Sequence, residues 1–420
     1  MRHNGDYMGE EERLREEIKA KVKELYSNRA RNKEKFVPGK TLIRYCSPIF
    51  DDEEVNAAVE SLLDGWLGVG KAAAKFEEEF SRYIGLKKTV LTNSGSSANL
   101  LAVSGAVNNG IGIKVEKGDE AITPAMTFPT TINPLLQSGL KPVLVDADIG
   151  TYAINTEEME KALSDRTKMV MVPHTIGNPC NMDAITEFAE ENGLLLIEDS
   201  CDALGAEYRG KKTGTFGDLG TFSFYASHHM SMGEGGAVGI NDDELEPVVR
   251  SFRDWGRIGA GKYVYSHIGY NLKPIDLQAA MGLMQLKRLD WFLKRRRENF
   301  KTLYEGLAEL DEHFILPQAT KHSEPAWFAF PLTIRDNSGF TRDEMSEYLW
   351  KNGIENRPMF AGNIVDQPAY TNTPFRIIGS LKNSEKAMND SFFIGLYPGI
   401  DGEMLDYMIR TIREFTITTK

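Results

Sequence analysis

Two segments of the 420-residue chain pair reactive residue types with a backbone able to present them. The first is Thr92-Asn93-Ser94-Gly95-Ser96-Ser97-Ala98-Asn99, which follows an apolar run and opens a helical one. Its hydroxyls and the free N–H groups of a helix start face one point, and Gly95 allows close approach to the backbone. That arrangement suits a phosphate, and equally an ordinary serine cap. The second is Leu194-Leu195-Leu196-Ile197-Glu198-Asp199-Ser200-Cys201-Asp202, an apolar run ending in three carboxylates. The end of such a strand is where α/β folds place ligands. A carboxylate there holds a pyridine nitrogen protonated, because the adjacent negative charge favours the charged ring. Metal binding is the rival reading, but no His-Glu-x-x-His or comparable spacing occurs. No Walker pattern is present, and no G-x-G-x-x-G opens a helix after a strand.

Both segments need a sheet to hold them. Short apolar runs at residues 89–92, 120–123, 142–145, 169–173, 194–197, 221–225 and 237–240 alternate with helical stretches such as 98–107 and 183–192. This predicts an α/β domain with a largely parallel sheet. A helical region at residues 275–310 leads out of it, followed by a strand at 327–334 and helices at 342–351 and 404–415. Upstream, Leu14, Ile18, Val22 and Leu25 recur at helical spacing before a loop at Pro38-Gly39, as in an exposed amphipathic helix. The expected division is a helical extension at 1–40, a large α/β domain at 41–285 carrying both segments, and a small α+β domain at 286–420. Lys287, Arg288 and the basic run from Lys294 to Arg297 read as a solvated helix face rather than an anion site.

Composition narrows the function classes. A net charge of −12 leaves no basic field for nucleic acid, though a phosphorylated small molecule can still be held by N–H groups and hydroxyls. The three cysteines, Cys46, Cys180 and Cys201, are too scattered for a disulfide framework, which suggests a reducing compartment. The N-terminus is charged, with no apolar segment like a signal peptide, and no run approaches the roughly 18 apolar residues of a membrane span. A cytoplasmic protein is expected.

A third segment is Phe222-Ser223-Phe224-Tyr225-Ala226-Ser227-His228-His229-Met230-Ser231-Met232-Gly233-Glu234-Gly235-Gly236. Here the chain resembles the sugar aminotransferases of the DegT/DnrJ/EryC1/StrS group, within the fold-type I pyridoxal-phosphate enzymes. In those, a Ser-Phe pair precedes a lysine that anchors the cofactor, and Glu-Gly-Gly follows. Counting five residues on from Ser223, or six back from Glu234, reaches His228, and no lysine lies between Lys212 and Lys262. The His228-His229 pair is similar to one branch, the 3-dehydratases of nucleotide-linked 4-keto-6-deoxyhexoses. The likeness continues through Gly65-Trp66-Leu67, Phe128-Pro129-Thr130-Thr131, Ser251-Phe252-Arg253-Asp254-Trp255-Gly256-Arg257 and Tyr397-Pro398-Gly399. It looks nearest to the CDP-4-keto-6-deoxyglucose 3-dehydrases, with one departure. Those look to carry a cysteine-rich iron–sulfur insert where this chain has Ile258-Gly259-Ala260-Gly261-Lys262-Tyr263-Val264-Tyr265. A cluster needs about four protein ligands, typically thiolates, so no cluster and no other metal is expected. This draws the likeness toward the GDP-4-keto-6-deoxymannose 3-dehydratase.

The resemblance implies an aspartate aminotransferase-like fold with a smaller C-terminal α+β domain, and pyridoxamine 5′-phosphate or pyridoxal 5′-phosphate as cofactor. By family position His228 is the base, with Tyr225 assisting, Asp199 at the ring nitrogen and Asp202 near the ring hydroxyl. Gly95, Ser96, Ser97 and Ser223 surround the phosphate and Phe128 stacks on the ring. Asn271 reaches in from a second subunit, hence a homodimer with shared sites. His229 reads as structural, because neighbouring side chains in an extended segment diverge. Arg357, Phe360, Asn363 and Gln367 are candidates for the sugar nucleotide. An imidazole, with an unperturbed pKa near ~6.5, takes and returns a proton around neutrality more readily than lysine at ~10.4. L-Glutamate would restore the cofactor's amine, and the 3-deoxy sugar would serve a surface polysaccharide such as lipopolysaccharide, or a glycosylated natural product. The alternatives are an ordinary sugar aminotransferase, a dehydrase fed electrons by a reductase partner, and a fold that has lost catalysis.

Overall fold

The computed structural model describes residues 4–107, 114–259 and 263–418, so Ala260, Gly261 and Lys262 of the cysteine-free stretch lie outside the described residues. Each of the seven apolar runs forms a strand: β1 (Lys88–Thr92), β2 (Glu120–Pro124), β3 (Lys141–Val145), β4 (Thr167–Pro173), β5 (Leu195–Asp199), β6 (Leu219–Ser223) and β7 (Gly236–Ile240). With Arg376–Ile377 they make an eight-stranded sheet in the order β1-β7-β6-β5-β4-β2-β3, the short strand lying beside β3. β7 is antiparallel to both its neighbours, and every other pairing is parallel. β2, β5, β6 and β7 are buried along their whole length, which is why they read as continuous runs rather than alternations.

β6 ends at Ser223, two residues before its aromatic run does. Phe224 N–H donates to Gly235 O and Met232 N–H to Phe224 O, so residues 224–235 leave the sheet and close a loop. The histidines therefore sit on this loop and not on an extended segment. Phe224 anchors it, fully buried and edge-on to Phe76 and Phe80 at 5.3 Å each. Burying such a ring stabilises by about 1.5–3 kcal/mol, and each aromatic pair adds roughly 0.5–1.5 kcal/mol.

The helix Asp276–Leu307 joins two cores. Leu283, Leu286, Leu289, Phe292 and Leu293 pack with Phe76, Phe80, Phe222 and Phe224 under the large sheet. Further along, Leu303 and Leu307 enter a second core around Phe314, Phe330 and Phe392. The division expected at residue 285 falls inside this helix. Its basic residues do not form one solvated face: Lys294 is 75% exposed, but Arg296 is 2% exposed. Arg296 follows Phe292 and Leu293 by four and three residues, which puts it on their buried side.

The second core backs an antiparallel sheet ordered Phe314–Ile315, Phe330–Ile334, Ser391–Ile394, Asn356–Pro358, with the helices Arg342–Lys351 and Gly402–Thr418 against it. The strand expected from residue 327 begins at Phe330. The preceding residues reach back toward the large sheet, where Phe328 N–H donates to Ile176 O at 2.8 Å. The N-terminal helix Asn4–Arg31 docks through Arg15 to Glu60 and Asp64 and leaves Leu14, Ile18 and Leu25 exposed. No helix among the described residues is long and apolar enough to cross a membrane.

Candidate active site

Three chain turns meet at one edge of the sheet. Gly236 of β7 pairs with Thr92 of β1 on one side and Ser223 of β6 on the other, so the ends of β1 and β6 stand either side of it. Two glycines let them close. A Cβ on Gly95 would sit 2.5 Å from Ser223 Cβ, and one on Gly236 2.3 Å from Ser94 C. The helix Gly95–Val107 starts here, capped by Ser94, whose Oγ accepts from Ser97 N–H at 3.1 Å and lies 3.0 Å from Ser97 Oγ. The cavity wall and the helix cap therefore use different serines. Gly95, Ser96 and Ser223 line a cavity of about 340 Å³, while Ser97 is engaged with the cap and is not on its wall.

The carboxylate triplet divides into separate roles, because successive strand residues point to opposite faces. Glu198 is buried among backbone donors, accepting from Gly214, Phe216 and Gly217 N–H at 2.8, 2.6 and 2.8 Å. It also lies 2.9 Å from His174 Nε2. Cys180 N–H donates to His174 Nδ1 at 3.1 Å, so that nitrogen keeps its lone pair and Nε2–H donates to Glu198. Asp199 faces the cavity instead. Its Oδ2 accepts from Asn99 Nδ2 and Thr131 Oγ1, each at 2.8 Å, and its Oδ1 from Cys201 N–H at 3.2 Å. Neutral donors hold this carboxylate, and a cationic ring nitrogen would complement it.

Asp202 and His228 also line the cavity, with Nδ1 of the imidazole 3.6 Å from a carboxyl oxygen and no hydrogen bond on that nitrogen. Burial pushes His228 down to about 3, with Arg296's charge adding to it. Burial also pushes Asp202 up to about 8, with Asp199's charge adding to it. Both shifts favour a neutral imidazole beside a neutral acid. His228 N–H donates to Tyr225 O at 3.0 Å and its ring rests 5.3 Å from that of Phe328. His229 points away into the core, its Nε2 donating to Ala326 O at 2.7 Å. Tyr225 is half exposed on the cavity wall, its ring 6.3 Å from that of His228.

The second sheet supplies the far wall. Arg357 stands over the Tyr45 ring at 4.9 Å and pairs with Glu355 at 2.6 Å. Phe360, at φ +44, meets the half-exposed Phe128 edge-on at 6.2 Å. Asn363 and Gln367 do not line the cavity. They fasten the loop behind Phe360, through Asp366 at 2.9 Å and Ala361 O at 2.8 Å. Asn271 is exposed and is also absent from this wall; it follows Tyr263 and Ile268 along the chain, which are 84% and 96% exposed. Sequence reasoning missed Tyr45, Thr130, His174 and Phe328. Asn99 and Thr131, which hold Asp199, stood inside segments already singled out, and their helical spacing from Gly95 and Phe128 was the available signal.

These residues fit pyridoxal phosphate chemistry: a glycine cradle and hydroxyls at a helix start for the phosphate, and Asp199 for the ring nitrogen. The whole-chain comparisons agree with that reading. Residues 48–413 match the DegT/DnrJ/EryC1/StrS aminotransferase family. Lipopolysaccharide biosynthesis protein RfbH of Salmonella typhimurium is 42% identical, over 96% of this chain and 98% of its own. The dTDP-4-dehydro-2,6-dideoxy-D-glucose 3-dehydratase of Saccharopolyspora spinosa is 44% identical, over 90% and 88%. A structure of GDP-4-keto-6-deoxymannose-3-dehydratase with a trapped PLP–glutamate geminal diamine superposes with a TM-score of 0.83 at 29% identity, covering 88% of this chain and all of that one. With fold, cavity and sequence agreeing over nearly its full length, the chain belongs to the DegT/DnrJ/EryC1/StrS family and has the fold of the pyridoxal-phosphate-dependent aminotransferases.

Proposed function

We propose that the protein is a pyridoxamine 5′-phosphate-dependent sugar-nucleotide 3-dehydratase, removing the C3 hydroxyl of a nucleotide-linked 4-keto-6-deoxyhexose. The observation that carries this is the group at the cavity wall after β6: a neutral, buried imidazole, with no lysine among the cavity's described lining residues. Without a lysine the cofactor is held by non-covalent contacts alone. When bound, it supplies an amine for the sugar ketone and an electron sink. Asp199 would keep its ring nitrogen positive, Phe128 would pack against the ring, and Gly95, Ser96 and Ser223 would hold the phosphate. Ser97 acts indirectly, by fixing the helix start through Ser94. His228 takes and returns the proton whose movement lets the C3 hydroxyl leave, and Asp202 and Tyr225 set its surroundings. Arg357 and Phe360 face the sugar nucleotide.

L-Glutamate completes the cycle in this reading, which the PLP–glutamate structure of the related dehydratase supports. The sugar loses one oxygen, and the two electrons come from glutamate, which ends as 2-oxoglutarate and ammonia. No iron–sulfur cluster is invoked, because the chain has three cysteines, one of them on the cavity wall and one in the core. A homodimer is part of the proposal, since Asn271 does not line its own cavity and ends a stretch in which Tyr263 and Ile268 are exposed. Steady-state turnover with nucleotide-linked 4-keto-6-deoxyhexoses, cofactor and glutamate tests the reading. The 3-deoxy-4-keto sugar is expected together with equal amounts of 2-oxoglutarate and ammonia. A 4-amino sugar as the product would make the protein an aminotransferase.

A further inference from the structure

We propose that Arg296 is a positioning residue for His228, holding the base's main chain and its ring partner together and setting a buried positive charge behind the imidazole. The inference rests on the dehydratase reading and deepens it. From the helix Asp276–Leu307, Nη1 of Arg296 donates to Phe328 O at 2.7 Å and Nη2 to His228 O at 3.4 Å. The Phe328 ring packs on the His228 ring at 5.3 Å. One side chain thus fixes both the backbone that carries the base and the backbone that carries the ring resting on it.

The cost of this arrangement argues for a function beyond packing. Arg296 is 2% exposed, and among the described residues no carboxylate lies within 4.0 Å of it. A buried charge is ordinarily paired, and an unpaired one destabilises the fold. Burial pushes the guanidinium down to about 10, which still leaves it charged at neutral pH. Burial is the larger cause of the neutral imidazole, and that charge adds to it by disfavouring a second positive charge, so the lone pair of His228 stays free. The other titratable groups around the imidazole are Asp202 at 3.6 Å, Tyr225 and His229 on its own loop, and Asp199, Cys201, His174, Tyr45 and Arg357 on the remaining walls.

The test is the pH profile of sugar dehydration by the holoenzyme. Arg296→Met keeps side-chain length and removes charge and donors, whereas Arg296→Lys keeps the charge. Loss of a nearby positive charge raises the imidazole pKa, so the acid limb should move to higher pH by about one unit in Arg296→Met and return toward its original place in Arg296→Lys. A purely structural role would lower stability and leave the limb where it was, and that result overturns the proposal, as does a lysine variant shifted as far as the methionine one. Should Arg296→Met fail to fold, the unsubstituted holoenzyme labelled with [13Cε1]histidine gives a second reading, its signal assigned by His228→Asn. The His228 midpoint should lie lower there than in the same protein carrying Arg296→Gln, and equal midpoints would overturn the proposal. The two readings can fail separately. If the unsubstituted holoenzyme forms no 3-deoxy sugar, the dehydratase reading falls; if it forms that sugar while Arg296→Met keeps the original limb, only the role of Arg296 falls.

Discussion

An imidazole whose Nδ1 lies 3.6 Å from a buried carboxyl works as a base only while it stays neutral, and burial enforces that here. The two adjacent histidines separate the hypotheses cleanly, because His228 faces the cavity and His229 is spent on Ala326 O. His228→Asn should therefore leave cofactor affinity nearly unchanged while C3 deoxygenation falls by roughly 10²–10⁴-fold, the range of a lost general base. His229→Asn should cost stability more than rate. Cofactor titration and rate measurement on both variants check this, and a reversed pattern would move the base by one residue. At this scale the sequence was readable where a motif bracketed the residue: His228 sits at fixed counts from Ser223 and Glu234. Arg296 was not readable, since a basic run on a helix looks solvated until Phe292 and Leu293 are known to point into the core. Tyr45 and Phe328 reach the cavity only through tertiary packing and carry no local signal. Asn363 and Gln367 are polar residues near the wall that hold their own loop.

Between the end of β6 and the start of β7 the chain makes the one loop on which both histidines ride, and its stability rests on Phe224. Phe224→Ala would remove a fully buried ring from contact with Phe76 and Phe80, at a cost of about 3–5 kcal/mol. Because the ring lies between Ser223 and Tyr225, activity should fall with it even at temperatures where the variant remains folded. Chemical denaturation alongside turnover measures both, and a loss below about 1 kcal/mol would show that the loop is held elsewhere. The strands themselves were legible because burial on both faces leaves apolar runs, and β5 and β6 end where the ligand edge begins. The end of β6 was not, because Phe224 continues the aromatic pattern of the strand while its backbone already bonds to Gly235. A residue can keep a strand's composition and leave its ladder.

The cavity belongs to the whole molecule: helix start and strand ends from the large sheet on one side, Arg357 and Phe360 from the second sheet on the other, with the helix Asp276–Leu307 linking both cores. The strand–helix alternation made the α/β body legible, but not how Tyr45, Phe328, Arg357 and Phe360 would converge on one cavity. The central claim, deoxygenation at C3 with the cofactor's amine consumed, can be read from one turnover. Protein carrying one equivalent of pyridoxamine 5′-phosphate, without glutamate or any reductant, is mixed with excess nucleotide-linked 4-keto-6-deoxyhexose, and sugar and cofactor are quantified by mass spectrometry and absorbance. One 3-deoxy-4-keto sugar should form for each amine converted to pyridoxal 5′-phosphate, after which the reaction stops. A 4-amino sugar formed in the same ratio, or no product until a reductase is added, would contradict the account.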